Sequence, residues 1–294
     1  MPALIKRIAF ACIAGLGLFG LAGPAAAEPA LWAIKDGRST IYLFGTFHLL
    51  DPAMHWQSPK IKKAFGASAD LWLELTDGDD PSTQQLIASL GLDAAHPLSS
   101  KLSPQDLARL DSSAKAVGIG AGEKQLEPMR PWMAAMSLAL VSIRQAGFDP
   151  QKGADHILKG EAVAAGKPLR AFETMPQQLH LFADLPPALE LEILQSSVDE
   201  AAEIPAKAKD MAKAWLGGDV PAIAKLFAEM DDPKYRAVYQ VLIIDRNQAW
   251  ATKLAERLKT GSGTSFVAVG AGHLAGPDSL IVALAQRGIK VERQ

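Results

Sequence analysis

Cysteine is nearly absent. The 294-residue chain has one, Cys12, inside an N-terminal stretch that reads as a removable leader and too early in it for a lipoprotein signal. The remainder therefore has no thiol for a disulfide, a thiolate nucleophile or a zinc–cysteine site. Its stability must come from its own core. An excess of one charge is also missing. The balance of 30 Lys and Arg against 32 Asp and Glu leaves a formal charge of −2, which offers no basic surface to a nucleic acid. Beyond the leader no apolar run approaches the ~18 residues of a membrane span. The nearest, "WMAAMSLALVSI" from Trp132 to Ile143, is closed by Arg144 and reads as a buried core helix. There is no strand–G-x-S-x-G–helix element and no H-E-x-x-H helix. No phosphate-binding glycine loop is present either, because "GSGTSF" precedes a strand pattern rather than a helix. No internal repeat or low-complexity segment appears.

The leader begins "MPALIKRIAFACIAGLGLFGLAGPAAAEPA". Lys6 and Arg7 precede an apolar segment to about Ala22, and small residues stand before Glu28. That order predicts a secretory signal peptide cut after Ala27, hence a periplasmic or secreted protein. The alternative is an uncleaved anchor, but the apolar core is near the lower limit for crossing ~30 Å of hydrocarbon.

The mature chain, 28–294, then alternates in character. "PALWAIKDGRSTIYLFGTFH" contains two strand patterns joined by Asp36-Gly37, a strong hairpin signal. Ser58 and Pro59 supply the N-cap and first helical position of the next element. "DLWLEL", Asp70 to Leu75, reads as a third strand. From about 80 to 260 the patterns are helical, interrupted by the strand-like "KPLRAFE", Lys167 to Glu173. The end returns to strand Ser265–Gly270, helix Pro277–Arg287 and a short strand "IKVE". This predicts one α/β domain in which strands from both chain ends share a central sheet around a helical insert of about 80–260. Two consecutive domains would instead separate the motifs described next.

Two strands finish in the same pattern. "TIYLFGTFHLL" ends in Gly45 and His48; "SFVAVGAGHLAG" ends in Gly270 and His273. Ligands in open α/β sheets bind beyond the carboxyl ends of the strands, where glycine permits tight turns and close approach. Each histidine alone is more readily a satisfied structural residue; two in one local frame point to a functional pair. Glu74, in a run of leucine and tryptophan, either faces water from an edge strand or is buried and needs a cation. A metal ion would satisfy it and both histidines. Glu173 could reach the same rim or cap the helix that follows it. Arg246 and Asn247 interrupt the apolar "LIIDRNQAW"; a buried Arg246 needs an anion, which Glu173 or a substrate could supply, while an exposed helix face would explain it as well. His55, His96 and His180 sit in polar loops or helix starts, and His156 in "GADHIL" suits a solvent-exposed position.

These residues resemble the TraB/GumN family, related to the Tiki metalloproteases. The resemblance rests on "GTFH", "GAGH" in "GAGHLAGPDSL", and "LWLEL" with Glu74. It extends through "GADHILKGEAVAAGKPLRAFET" and "LIIDRNQAW", bringing in Asp155, Glu173, Arg246 and Asn247, and covers Leu31 to the C-terminus. It implies a mixed sheet with a large helical insertion and a divalent-metal hydrolase, with manganese or cobalt suggested by Tiki-type activity on peptide bonds. The expected metal ligands are His48, Glu74 and His273, with Glu173 as general base, Arg246 stabilising developing negative charge and Asn247 beside them. Oxygen and nitrogen donors without sulfur suit manganese, cobalt or zinc alike. The expected partner is a peptide or protein substrate. The competing reading is a non-catalytic periplasmic binding or accessory protein, for peptide or polysaccharide, using the same cleft without metal.

Overall fold

A computed structural model describes residues 28–78, 80–228 and 236–294; the leader and its cleavage position lie outside them. The described strands form one six-stranded mixed sheet in the order β4-β3-β5-β2-β1-β6. These are β1 Leu31–Asp36, β2 Ser39–Thr46, β3 Asp70–Leu73, β4 Leu169–Ala171, β5 Gly263–Gly270 and β6 Val291–Arg293. β2, β5, β3 and β4 run parallel, whereas β1 pairs antiparallel with β2 and with β6. Asp36 and Ser39 face each other across the hairpin turn. The fold is therefore α/β, with strands from both chain ends in one sheet and a large helical insertion.

β5 lies at the centre. Its Phe266, Val267, Ala268 and Val269 are all buried, the continuous apolar run that a parallel strand covered on both faces requires. Phe266 and Ala268 face one core, with Phe44, Leu71 and Leu73. Helices α1 Pro59–Gly66, α2 Ser82–Gly91, α3 Pro104–Ala116, α4 Glu123–Leu126, α5 Pro131–Gln145 and α6 Ala154–Ala164 precede β4. Of these, α1 and α6 cover that first core through Ile61, Phe65, Leu158 and Ala162. After β4 come α7 Met175–Ala183, α8 Pro187–Glu200, α9 Ile204–Leu216, α10 Val220–Ala228, α11 Arg236–Tyr239, α12 Asp245–Thr260 and α13 Leu280–Ala285. Val267 and Val269 face the second core, closed by Trp250, Leu254 and Leu258 of α12 and by Leu280 and Leu284 of α13. The insertion has its own small core, where Leu110, Leu126, Leu138 and Leu194 meet.

Several elements are shorter than the sequence pattern predicts. The third strand stops at Leu73 and leaves Glu74 and Leu75 beyond it. β4 keeps only Leu169–Ala171 of the predicted run, and the last helix starts at Leu280, capped by Ser279 rather than entered at Pro277. The apolar stretch at Trp132 is only half a core helix. Trp132, Ala134, Ala135 and Leu138 are buried, whereas Met136 and Leu140 are 46% and 43% exposed. No helix among the described residues is long and apolar enough to cross a membrane.

Candidate metal centre

Four parallel strands end at the same edge of the sheet, and each is followed within three residues by a site residue: His48 after β2, Glu74 after β3, Glu173 after β4 and His273 after β5. Parallel pairing thus gathers side chains that are remote in the chain.

The two motif glycines serve close approach rather than an unusual backbone, since Gly270 has φ −49°. A Cβ on Gly45 would lie 3.0 Å from the Ala271 Cα, inside the second motif. A Cβ on Gly270 would lie 3.2 Å from both Glu74 Oε1 and His48 Nε2. Each glycine makes room for residues at the other strand ends. A third glycine completes the frame: a Cβ on Gly153 would overlap the His48 carbonyl oxygen, and the Ala154 amide donates to Phe47 O at 3.0 Å. This places the start of α6 against the first motif.

His48 Nε2 lies 3.9 Å from Glu74 Oε1, and His273 Nε2 lies 4.0 Å from the same oxygen. The far nitrogens are both oriented. His48 Nδ1 stands 3.2 Å from Asp155 Oδ1, and His273 Nδ1 stands 2.8 Å from Asn247 Oδ1. Asn247 is fully buried and its Nδ2 donates to Asp278 O at 2.8 Å, so its carbonyl oxygen must face the imidazole. His273 therefore carries its proton on Nδ1 and presents a lone pair at Nε2.

Arg246 ties the site together. Its Nε donates to Glu173 Oε1 at 3.0 Å, and its Nη2 donates to Glu74 Oε2 at 2.6 Å and to Glu173 Oε2 at 3.0 Å. Its Nη1 donates to Leu242 O at 3.1 Å and lies 3.0 Å from His273 Nε2. The guanidinium lies 4.6 Å from the centre of the Trp250 ring, which in turn contacts the His273 ring at 4.4 Å. A single π-helical turn, Gln240–Ile244, immediately precedes α12; such turns recur at functional sites, and here one supplies the Leu242 carbonyl. Glu173 also accepts from Trp250 Nε1 at 2.9 Å and Gln178 Nε2 at 3.1 Å, and Gln178 Nε2 reaches Glu74 Oε2 at 3.2 Å.

The charges follow from these contacts. Burial alone would raise the Glu74 carboxyl, but His273, His48, Arg246 and the Gly270 amide outweigh it and hold it at about 2. Burial drives His273 down to about 3, so it is neutral at ordinary pH. Burial would also lower His48, but Asp155 and Glu74 raise it to about 9. A cleft of about 300 Å³ opens on this group, lined by His48, Glu74, Asp155, His156, Lys159 and Gln178.

The structure thus brings together His48, Glu74 and His273, with Arg246 and Asn247 directly behind them. Glu173 lies one layer further back, where its oxygens accept N–H groups from Arg246, Trp250 and Gln178, and it does not line the cleft. His96 and His180 pair with Asp93 and Asp184 away from the site. His156, expected in solvent, is exposed at the cleft mouth. Asp155 enters through the family resemblance, but its place beside His48, like that of Gln178 as the clamp between the two glutamates, is not visible in the pattern alone. The local signal for the first is "GADH", a glycine entering a helix two residues before a carboxylate.

The donors suit a divalent ion. The His273 Nε2 lone pair, the His48 imidazole once it has given up its proton, and one carboxylate oxygen form a familiar nitrogen–oxygen set. The spacing is wide. Donors at ~2.1 Å in a tetrahedral shell stand ~3.4 Å apart, and among the described residues no group of three or more His, Cys, Asp or Glu encloses an ion as it stands. The space beside His273 Nε2 belongs to Arg246.

Comparison with known proteins agrees with this construction at the level of family. The family model described as "TraB/PrgY/gumN family" matches residues 30–293, and the chain belongs to that family. It is 22% identical over 278 residues to an uncharacterized protein of Treponema pallidum (strain Nichols), a match covering 88% of this chain and 81% of that one. No solved structure matches.

Proposed function

We propose that this TraB/PrgY/gumN-family member is an exported, divalent-metal-dependent hydrolase acting on peptide bonds. The observation that carries the reading is the convergence of His48 Nε2, His273 Nε2 and Glu74 Oε1, each imidazole being oriented from behind. Those three residues would hold manganese, cobalt or zinc. Such an ion, when bound, supplies a water of lowered pKa and polarises a substrate carbonyl.

The chain's own residues divide the remaining work. Asn247 fixes the His273 tautomer, and Asp155 fixes the His48 ring and its charge. Gln178 and Arg246 hold the Glu74 carboxylate ionised and in place. Glu173 is proposed as the anchor of Arg246 rather than as the general base, because its oxygens are already committed. His48, half-exposed at the cleft and beside Asp155, would have to release the proton on Nε2 before that nitrogen could hold an ion. Export rests on the basic, apolar and small-residue order of the leader.

The experiment is a metal measurement on purified, untagged mature protein, repeated with His48→Ala and His273→Ala. The expected result is about one ion per wild-type chain and loss in both variants. A peptide-library digest with and without chelator then tests the chemistry, and cleavage insensitive to chelator argues against it. Mature protein starting at Glu28 in a periplasmic fraction is the expected sign of export.

A second reading, a non-catalytic exported binding protein, is favoured by one observation: Arg246 already hydrogen-bonds both glutamates without an ion. Wild-type protein that stays metal-free when offered all three ions would select it.

A further inference from the structure

The site read above as a metal centre contains a cation of its own, and the inference rests on that reading. Arg246 is 11% exposed at its side chain, and a guanidinium has five N–H donors and no acceptor. All five are used. Two go to Glu173 and one to Glu74; the two on Nη1 go to Leu242 O and His273 Nε2. Four of those acceptors are oxygens that an ion between the imidazoles does not need. The fifth is the lone pair of His273 that an ion would use, since Nδ1 is committed to Asn247. One lone pair cannot serve both.

We propose that Arg246 competes with the divalent ion and so sets its affinity. Without an ion the guanidinium bridges Glu74 and Glu173 and caps His273 Nε2. With an ion it gives up that single hydrogen bond. Its hold on Glu173 persists, because Glu173 is fixed independently by Trp250 and Gln178. The N–H released is at Nη1, on the side of the guanidinium that faces His273. Arg246 is in this sense a positioning residue for the ion.

The test is calorimetric titration of MnCl2, CoCl2 and ZnCl2 into metal-free wild type, Arg246→Gln and Arg246→Lys, with thermal melts of each protein with and without ion. Removing a competing like charge a few ångströms from the ion should raise affinity at least about tenfold in Arg246→Gln, while lowering the metal-free melting temperature. A residue that is merely structural would lower both. Arg246→Lys keeps a charge but cannot bridge Glu173 and His273 together, so it too should bind more tightly than wild type. It decides the matter if the glutamine variant does not fold. Tryptophan fluorescence adds an independent reading, since Trp250 lies against both Arg246 and His273. An ion-dependent change should appear in wild type and vanish in Trp250→Phe. Equal or weaker ion binding in the folded variant overturns the inference and leaves the metal reading standing. Binding to none of the three proteins overturns both.

Discussion

His48 and His273 occupy the same place in two copies of one motif, yet their surroundings are opposite. The His273 side chain is 7% exposed, against 51% for His48. The first faces a neutral amide and lies on a tryptophan ring, so burial keeps it uncharged. The second faces a carboxylate at the lip of a cleft and is held protonated. Spacing along the chain placed each ring at a strand end; the neighbour behind each ring decided its charge. A sealed, neutral imidazole offers a ready lone pair, whereas a cationic, half-open one must first give up a proton. The site thus has a fixed wall at His273 and a working wall at His48.

The largest expected effect comes from the residue both walls share. Glu74→Ala should cost about 3–5 kcal/mol in urea unfolding, because it leaves one N–H of the buried Arg246 and the Gly270 amide without an acceptor and opens a void beside them. A cost below about 1 kcal/mol would mean the pair is screened by solvent after all. Next, the two walls should separate in the metal-free protein. His273→Ala should lose about 2–4 kcal/mol, since it opens a cavity and unpairs Asn247 Oδ1. His48→Ala, half-exposed and so screened by solvent, should lose less than that. Similar losses for both would erase the contrast, although both should abolish ion binding.

The pH dependence of unfolding should then show the two histidines acting in opposite directions. His273 titrates near 6.5 when unfolded but only near 3 when folded. The unfolded chain therefore takes up a proton first, and stability falls as pH drops below 6.5. Glu74 extends that acid decline: its contribution is present above 4.5 and is lost as pH falls towards 2. His48 has its folded value raised from 6.5 to about 9, so its contribution is complete below 6.5 and is lost as pH rises to 9. Unfolding free energies at several pH values should peak near 6.5. His48→Gln should remove the alkaline decline, and His273→Gln should remove its upper acid portion. The smallest effect is expected at Asp155→Asn, which keeps the shape but weakens orientation of His48. Ion affinity should fall about tenfold, read by the same calorimetry, and no change would remove Asp155 from the site.

Much of this frame is written in local pattern. The Asp36-Gly37 turn, the Ser58-Pro59 helix start and the two strands ending in Gly-x-x-His each depend on neighbours a few residues away. Glu74 was recognisable as a misfit in an apolar run, but not as a residue just past the strand. Its carboxylate accepts from Gly270 N at 2.7 Å, a contact with the end of β5 that no local pattern announces. What pattern could not supply is long-range: the position of β5 between β2 and β3, the contact of Gly153 with His48, and the sharing of Arg246 among Glu74, Glu173 and His273. The half-exposed face of α5 escaped for a related reason. An all-apolar stretch carries no mark of which side the rest of the molecule will cover.

The placement of β5 also sets the order in which the protein can be completed. It joins β2 on one side and β3 on the other, yet it is made almost last as the ribosome moves along the message. Until those residues emerge, the early strands have no partner between them and their apolar edges stay open, a high-contact-order arrangement that folds slowly. A nascent chain lacking its final segment has one wall of the centre and not the other. It cannot close the sheet.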